Sequence, residues 1–217
     1  MDEVVRDGSA VDVYVALPAE PELGRVRSLV RGRARVLDLG CGTGRIANPL
    51  AIDGHSVVAV DDSEAMLARV VGAETVMADV RTLDLNRCFD AVLALSHLIN
   101  SSDRSRRLDL LRVCRRHLDD DGVVVVQRYR PDWVPAASEG ASGDVTMRLH
   151  DVVLRDGGVF AAVVTYAIGD RSWSQSFEAT IVDDDELSSL AIESDLKIDN
   201  IAGDDASWVL LSARRDR

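Results

Sequence analysis

The sequence has 217 residues, of which 47% are apolar and 29% charged, a balance typical of a globular protein. Its formal charge of −12 disfavours binding along a nucleic-acid backbone, because such binding relies on lysine and arginine releasing counterions. No apolar run approaches the roughly 20 residues that span a bilayer, and no signal segment follows the acidic start at residues 1–7, so we expect a cytoplasmic protein without a membrane partner.

Short apolar runs alternate with longer amphipathic stretches through the first 130 residues, the pattern of βα units that feed a parallel sheet. The predicted strands are 35–39, 56–60, 75–77, 91–95 and 123–127. The predicted helices are 45–53, 63–71 and 103–118, ended by glycines at positions 54, 72 and 122 that we expect to be left-handed.

The pattern changes after residue 129. Residues 130–143 are rich in Pro, Gly and Ser and predict a loop, after which apolar residues alternate with polar ones. Antiparallel strands are therefore expected, with turns at 155–158 and 169–170, and a helix at 184–194 and strands at 197–201 and 207–213 complete the chain. We predict a single domain over 1–217, with an N-terminal cap at 1–34 and an antiparallel insertion at 140–182.

A glycine-rich turn, "VLDLGCGTGR" at 36–45, joins the first strand to the first helix. Such a turn lets a ligand approach the main chain and directs amide groups at it. An NTPase loop would need Gly-Lys-Ser/Thr where this chain has Gly44-Arg45-Ile46, and a dinucleotide fingerprint would need a small residue at Arg45. The glycine pattern alone thus indicates a nucleotide-type ligand without fixing which one.

Three carboxylates at the ends of three successive strands indicate which nucleotide-type ligand the turn binds. Asp38, two residues before Gly40, would repel a pyrophosphate and favour a ligand that carries an ammonium and a sulfonium group. Asp61 ends the second strand, where a carboxylate can accept both ribose hydroxyls. Asp79 ends the third strand, placed to accept a hydrogen bond from an adenine amino group.

Five segments in this order and spacing resemble the class I S-adenosylmethionine-dependent methyltransferases of the small-molecule type: 36–44, 57–67, 77–80, 89–100 and 110–126. The resemblance implies a Rossmann-like α/β fold, with a seven-stranded, mostly parallel sheet that has helices on both faces, and an antiparallel β insertion after strand five. It also implies S-adenosyl-L-methionine as cofactor, with no metal. The cofactor-binding residues expected from it are Tyr14, Asp38, Gly40, Cys41, Gly42, Gly44, Asp61, Asp62, Met66, Asp79, Val80, Leu95 and Ser96.

The acceptor is expected in the crevice at the carboxyl ends of the strands, next to the loops after strands four and five. There His97 and Tyr129 are the candidate catalytic residues, although His97 would equally serve by bonding a neighbouring loop. Arg128 and Arg130 are candidates for anchoring an acidic acceptor or, more simply, for surface salt bridges. Asn100 is placed to cap the following helix.

Methyl transfer to an oxygen or nitrogen of a small metabolite is the leading hypothesis. Family members that methylate nucleic-acid bases carry Asn or Asp followed by Pro-Pro and an aromatic, whereas this chain reads "SHLI" at 96–99, which again disfavours a nucleic-acid partner. Two alternatives stay open: a non-catalytic S-adenosylmethionine-binding subunit and an NAD(P)-dependent oxidoreductase. A homodimer is compatible with the sequence.

Overall fold

The structure is a computed structural model that describes residues 10–202 and 206–214; the acidic start lies outside them. The helices are α1 (Val11–Ala16), α2 (Glu22–Leu29), α3 (Ala47–Ile52), α4 (Glu64–Leu67), α5 (Arg104–Arg116) and α6 (Asp184–Glu193). The strands are β1 (Arg35–Leu39), β2 (Ser56–Asp61), β3 (Glu74–Met77), β4 (Phe89–Ala94), β5 (Leu118–Gln127), β6 (Ser138–Ser142), β7 (Val145–Leu154), β8 (Val159–Ile168), β9 (Arg171–Thr180), β10 (Leu196–Ala202) and β11 (Trp208–Ala213).

Seven strands form one sheet in the order β10-β11-β5-β4-β1-β2-β3, in which β11 runs antiparallel to its neighbours and the others are parallel to one another. Helices cover both faces. Leu37 and Leu39 of β1 pack in the cluster that contains α5 and α6, whereas Val36 packs with α2 and α3. Because both faces are covered, four consecutive residues of β1 are buried, which explains the continuous apolar runs of the sequence. The predicted fold class is confirmed.

A second sheet of four antiparallel strands, in the order β6-β7-β8-β9, lies between β5 and α6 along the chain. Its turns fall where the sequence predicted them, at residues 155–158 and 169–170. The short helix α1 packs against one end of this sheet through Val13 and Val145, and Tyr129 and Trp133 pack against Phe160. The insertion therefore covers the edge of the main sheet at which the parallel strands end.

Three local predictions were wrong. The acidic run before Gly122 does not end a helix, because α5 stops at Arg116 and β5 begins at Leu118, with Phe89 of β4 as its partner. The predicted loop at 130–143 contains β6, which pairs with β7. The helix predicted at 63–71 is reduced to α4. No helix in the described ranges is long and apolar enough to cross a membrane.

Candidate active site

A cavity of about 910 Å³ opens at the carboxyl ends of the parallel strands. Its walls are the glycine-rich turn after β1, α1, the loops after β2 to β5, and the inner face of the antiparallel sheet. The predicted residues that line it are Tyr14, Asp38, Gly40, Cys41, Gly42, Asp61, Asp62, Met66, Asp79, Val80, Leu95, Ser96, His97 and Tyr129. Gly44 does not line it. The structure thus gathers the predicted set around one space large enough for two ligands.

The glycine-rich turn needs its glycines for two different reasons. Gly40 has a φ of +66°, and a Cβ there would lie 3.0 Å from the side chain of Leu98, so the turn and the loop after β4 touch. Gly44 has a φ of +81°, and a Cβ would lie 2.4 Å from Oδ1 of Asn48. Gly44 therefore serves the packing of the turn onto α3 rather than the cavity wall.

Main-chain N–H groups of the turn are used within the protein. The Gly42 N–H donates to Oδ2 of Asp61 at 2.9 Å, and the Cys41 N–H donates to the Val60 carbonyl at 2.9 Å. The Gly44 N–H donates to the Cys41 carbonyl at 3.1 Å. Sites that hold phosphate on a glycine loop direct these amides at the ligand instead. This turn is consequently not arranged as a phosphate cradle.

Asp61 joins the loops that follow β1 and β2. Besides the bond from Gly42, its Oδ1 accepts the Ser63 N–H at 3.0 Å. The sequence placed Asp61 at a ribose but did not foresee that it also shapes the glycine-rich turn.

Asp38 is the most perturbed carboxyl group of the site. It is 3% exposed, and its Oδ2 has no hydrogen-bond partner among the described residues. Burial raises the pKa of Asp38 to about 7; nearby Arg45 opposes that shift and Asp61 adds to it. A buried carboxylate oxygen without a partner is unfavourable unless a donor reaches it. The turn therefore has a position suited to a cationic donor.

Asp79 lines the cavity but is already paired. Its Oδ1 accepts from both the main-chain N–H and the Nε of Arg81, each at 2.9 Å. Its Oδ2 accepts from the Nη2 of the same guanidinium. These bonds hold the pKa of Asp79 below its usual value. Its predicted contact with an adenine amino group stays a prediction, and the structure shows that such a contact would be shared with Arg81.

Tyr14 covers the glycine-rich turn from the side of α1. Its Cδ1 lies 3.7 Å from the position that a Cβ of Gly42 would take. The Thr43 hydroxyl donates to the Tyr14 carbonyl at 3.0 Å, which fixes α1 to the turn. The position agrees with a closing role for this tyrosine.

His97 is held in an unusual main-chain conformation. Ser96 and His97 have φ values of +51° and +62°, and the Ser96 N–H donates to Oε1 of Gln127 at 2.9 Å. Consecutive left-handed residues other than glycine are uncommon and occur where surrounding structure imposes them, often at functional sites. Burial lowers the pKa of His97 to about 4, so its imidazole is neutral at pH 7. Its Nδ1 is buried without a partner in the described part of the chain.

The rings of His97 and Tyr129 stack, with centroids 4.1 Å apart and planes inclined by 13°. Trp133 continues the column at 4.9 Å from Tyr129, and Phe160 meets Tyr129 edge-on at 5.8 Å. Burial raises the pKa of Tyr129 to about 12, so its phenol keeps its proton at neutral pH. The two candidate catalytic residues therefore form one aromatic wall.

Asn100 supports this wall, a role that the sequence did not reveal. Its Oδ1 accepts the Tyr129 N–H at 3.0 Å, and its Nδ2 donates to the Thr180 carbonyl at 2.8 Å. The predicted capping role was wrong, because α5 is capped by Asp103, whose carboxylate accepts the Ser105 N–H at 2.8 Å. Asn100 instead links the loops after β4 and β5 to the end of β9.

The arginines after β5 do not anchor an acceptor. Arg128 is completely buried and donates to the carbonyls of Val182 and Ala206 and to the carboxylate of Asp184. It fastens the start of α6 to the main sheet, so neither alternative drawn from the sequence, acceptor anchor or surface salt bridge, was right for it. Arg130 pairs on the surface with Asp132 at 2.7 Å.

Comparison with known proteins assigns a type of domain. Residues 36–122 match the family model described as "Methyltransferase domain". The chain is 31% identical over 156 residues to a cypemycin N-terminal methyltransferase of Streptomyces sp, a match that covers 66% of the chain and 62% of that protein. It is also 31% identical over 117 residues to a ubiquinone biosynthesis O-methyltransferase of Bradyrhizobium diazoefficiens, covering 50% of the chain and 45% of that protein. The chain thus spans between 45% and 62% of the length of these curated relatives.

Solved structures share the whole fold. The CcbJ methyltransferase of Streptomyces caelestis has a TM-score of 0.75 at 21% identity, covering 99% of this chain and all of that one. A sugar N-methyltransferase of a Streptoalloteichus species has a TM-score of 0.72 at 23% identity, covering 100% of this chain and 98% of that one. At these identities the likeness establishes the architecture, including the antiparallel strands after β5.

Proposed function

We propose that the chain is a class I S-adenosylmethionine-dependent methyltransferase that transfers a methyl group to an oxygen or nitrogen atom of a small metabolite, a proposal supported by its match to a methyltransferase domain model. The observation that carries this proposal is the buried Oδ2 of Asp38, which has no partner in the described residues and lies beside a turn in which the amides of Cys41, Gly42 and Gly44 bond within the protein. We further propose that the protein acts in the cytoplasm, in keeping with its charge of −12 and without a nucleic-acid partner.

The residues of the turn and of the neighbouring strand ends fit this cofactor. Asp38 offers a desolvated carboxylate to a cationic donor, and Asp61 lines the cavity at the end of β2, where a carboxylate can accept from ribose hydroxyls. Tyr14 closes the space above the turn. A diphosphate would meet these carboxylates while three amides of the turn are already bonded within the protein, which weighs against the NAD(P)-dependent alternative.

When bound, S-adenosylmethionine supplies an electrophilic methyl group on a sulfonium. The protein's own contribution is alignment, which can supply about 7–11 kcal/mol of a barrier by holding reacting groups in line. We assign His97 and Tyr129 to that task. The stacked rings form one wall of the acceptor space, and the Tyr129 phenol, which stays protonated, orients the acceptor by a hydrogen bond.

Calorimetric titration with S-adenosylhomocysteine tests the proposal, with NADH as the competing ligand. We expect S-adenosylhomocysteine to bind and Asp61→Ala to weaken it by about 10- to 100-fold, since hydrogen bonds to a charged group contribute about 1.5–3 kcal/mol. Asp90→Ala is the matched control, because it removes a carboxylate at the opposite end of β4, where Asp90 pairs with Arg35. Binding of NADH in place of S-adenosylhomocysteine would overturn the proposal.

A catalytic role separates this proposal from that of a non-catalytic binding subunit. Release of S-adenosylhomocysteine from S-adenosylmethionine during an acceptor screen is the direct readout. Tyr129→Phe retains the ring stack but removes the phenol, so it should lower the rate and leave cofactor affinity unchanged. A protein that binds the cofactor and releases no product with any acceptor would favour the subunit alternative.

A further inference from the structure

Resting on the proposed function, we propose that the acceptor is a ring-bearing amine that carries no phosphate or carboxylate group. Three features of the described part of the cavity lead to this substrate class: no available cation among the described residues of its acceptor side, a braced aromatic wall, and no general base among those same residues. Each is a property of the half of the cavity that lies beyond the glycine-rich turn.

The cavity has two chemically distinct halves. The carboxylates of Asp38, Asp61 and Asp79 all lie in the half built by the main sheet. The other half is built by the aromatic column and by the inner face of β7, β8 and β9. The residues of these strands that line the cavity are Met147, Leu149, Val164, Tyr166, Gln175, Phe177, Glu178 and Ala179. The acceptor half is thus apolar, with a few polar groups at fixed positions.

Each arginine among the described cavity-lining residues has a carboxylate partner. Arg45 bonds Glu22 at 3.1 Å, Arg81 is paired with Asp79, and Arg106 lies 3.7 Å from Asp103. Among described cavity-lining residues between positions 127 and 179 there is no Lys, Arg or His. Recognition of a phosphate or carboxylate group relies on such cations. A nucleotide-linked or acidic acceptor would therefore enter this half without a counter-charge, on a chain of net charge −12.

The aromatic wall of the acceptor half consists of His97, Tyr129, Trp133 and Phe177, and Phe160 holds it in place from behind. Phe160 is completely buried and meets three of its members edge-on, Tyr129 at 5.8 Å, Trp133 at 5.6 Å and Phe177 at 5.8 Å. Tyr129, Trp133 and Phe177 line the cavity, and aromatic rings held in place in this way attract other rings and ammonium groups without a large ordering cost. A protonated amine on a ring is the chemistry that this wall recognises.

Transfer to nitrogen also fits the titratable groups of the acceptor half. An alcohol or phenol must lose a proton as it attacks, but His97 is too weakly basic, and Glu178 is paired with Arg155. A bound ammonium group is a far stronger acid than an alcohol, so it can lose its proton to water without such a group and attack as the free base. Its lone pair forms the N–CH3 bond as the S–CH3 bond breaks, the bonding pair stays on sulfur as a thioether, and the product ammonium releases its proton to water.

The test is calorimetry on the complex with saturating S-adenosylhomocysteine, using three probes: tryptamine, indole-3-acetate and UDP-glucose. Tryptamine and indole-3-acetate share a ring and differ in charge. We expect tryptamine to bind about tenfold or more tightly than either other probe, as a desolvated cation–aromatic contact allows. Phe177→Ala should remove most of that preference, whereas Val153→Ala, an exposed truncation in the same sheet, should not.

The outcomes separate the two proposals. Failure of S-adenosylhomocysteine to bind would refute the proposed function itself. If it binds but indole-3-acetate or UDP-glucose binds as tightly as tryptamine, or tryptamine does not bind at millimolar concentration, only the acceptor class is refuted. An unchanged probe preference in Phe177→Ala would likewise overturn the assignment of the aromatic wall.

Discussion

Asn100→Ala should destabilise the protein well beyond the loss of an ordinary surface amide. Asn100 is 2% exposed, and the substitution removes two hydrogen bonds, of 3.0 Å from the Tyr129 N–H and of 2.8 Å to the Thr180 carbonyl. Each bond contributes about 1 kcal/mol net, and each partner left buried without a replacement costs about 1–3 kcal/mol. We therefore expect the free energy of unfolding to fall by about 2–6 kcal/mol, the cost of leaving these two buried partners unsatisfied.

Guanidinium denaturation followed by tryptophan fluorescence measures this change, and Asn200→Ala, on the exposed face of β10, is the control. Asn100→Asp is more specific: it retains the acceptor for Tyr129 but places a carboxylate oxygen against the Thr180 carbonyl. It should thus also be destabilised and lose the near-ultraviolet dichroism of the aromatic column. Stabilities of both Asn100 variants within about 0.5 kcal/mol of wild type, the range of ordinary surface substitutions, would refute the bracing role.

Two further predictions concern the turn and His97. In Gly40→Ala, the alanine would adopt a left-handed φ and its Cβ would lie 3.0 Å from the Leu98 side chain. This variant should therefore lower both the stability of the protein and the rise in melting temperature on adding S-adenosylhomocysteine. The control Gly157→Ala also has a left-handed φ but faces open space, so it should lower the stability alone. The pKa of His97 is about 4 in the folded protein and near 6.5 unfolded, so the unfolded chain binds more protons between these values and stability falls as pH drops through them. Relative to His97→Gln, wild type should lose about 1–2 kcal/mol between pH 7 and pH 5, as denaturant titrations at both values would show, and a pH-independent difference would contradict the burial of the imidazole.

The parallel strands could be predicted because each one is specified locally. β1 matches the predicted range from Arg35 to Leu39, and β2 to β5 each overlap a predicted run of apolar residues, since strands buried on both faces need such runs whatever their neighbours. Gly54 and Gly72 have positive φ values, as their positions at helix ends predicted. These features depend on residues that are close in sequence.

The wrong predictions involve long-range pairing. Residues 138–142, "SEGAS", have no apolar alternation and become β6 only because β7 offers a partner, with Ser142 opposite Val145. The acidic residues before Gly122 resemble a helix end in the sequence, yet Asp119 of β5 accepts from the guanidinium of Arg35 on β1, two strands away in the sheet. The local sequence predicts neither the β6–β7 pairing nor the Arg35–Asp119 ion pair.

In the site too, only part of the arrangement of the three carboxylates could be predicted from the sequence. Their placement at successive strand ends follows from the sequence, but their partners do not: Asp79 is neutralised by Arg81, and Asp61 is shared with the amides of Gly42 and Ser63. Only Asp38 keeps a desolvated oxygen without a partner in the described residues. Selection for a positively charged nucleoside therefore depends mainly on Asp38 and on the amides of the turn that are already bonded within the protein. The other two carboxylates shape the walls of the cavity around Asp38.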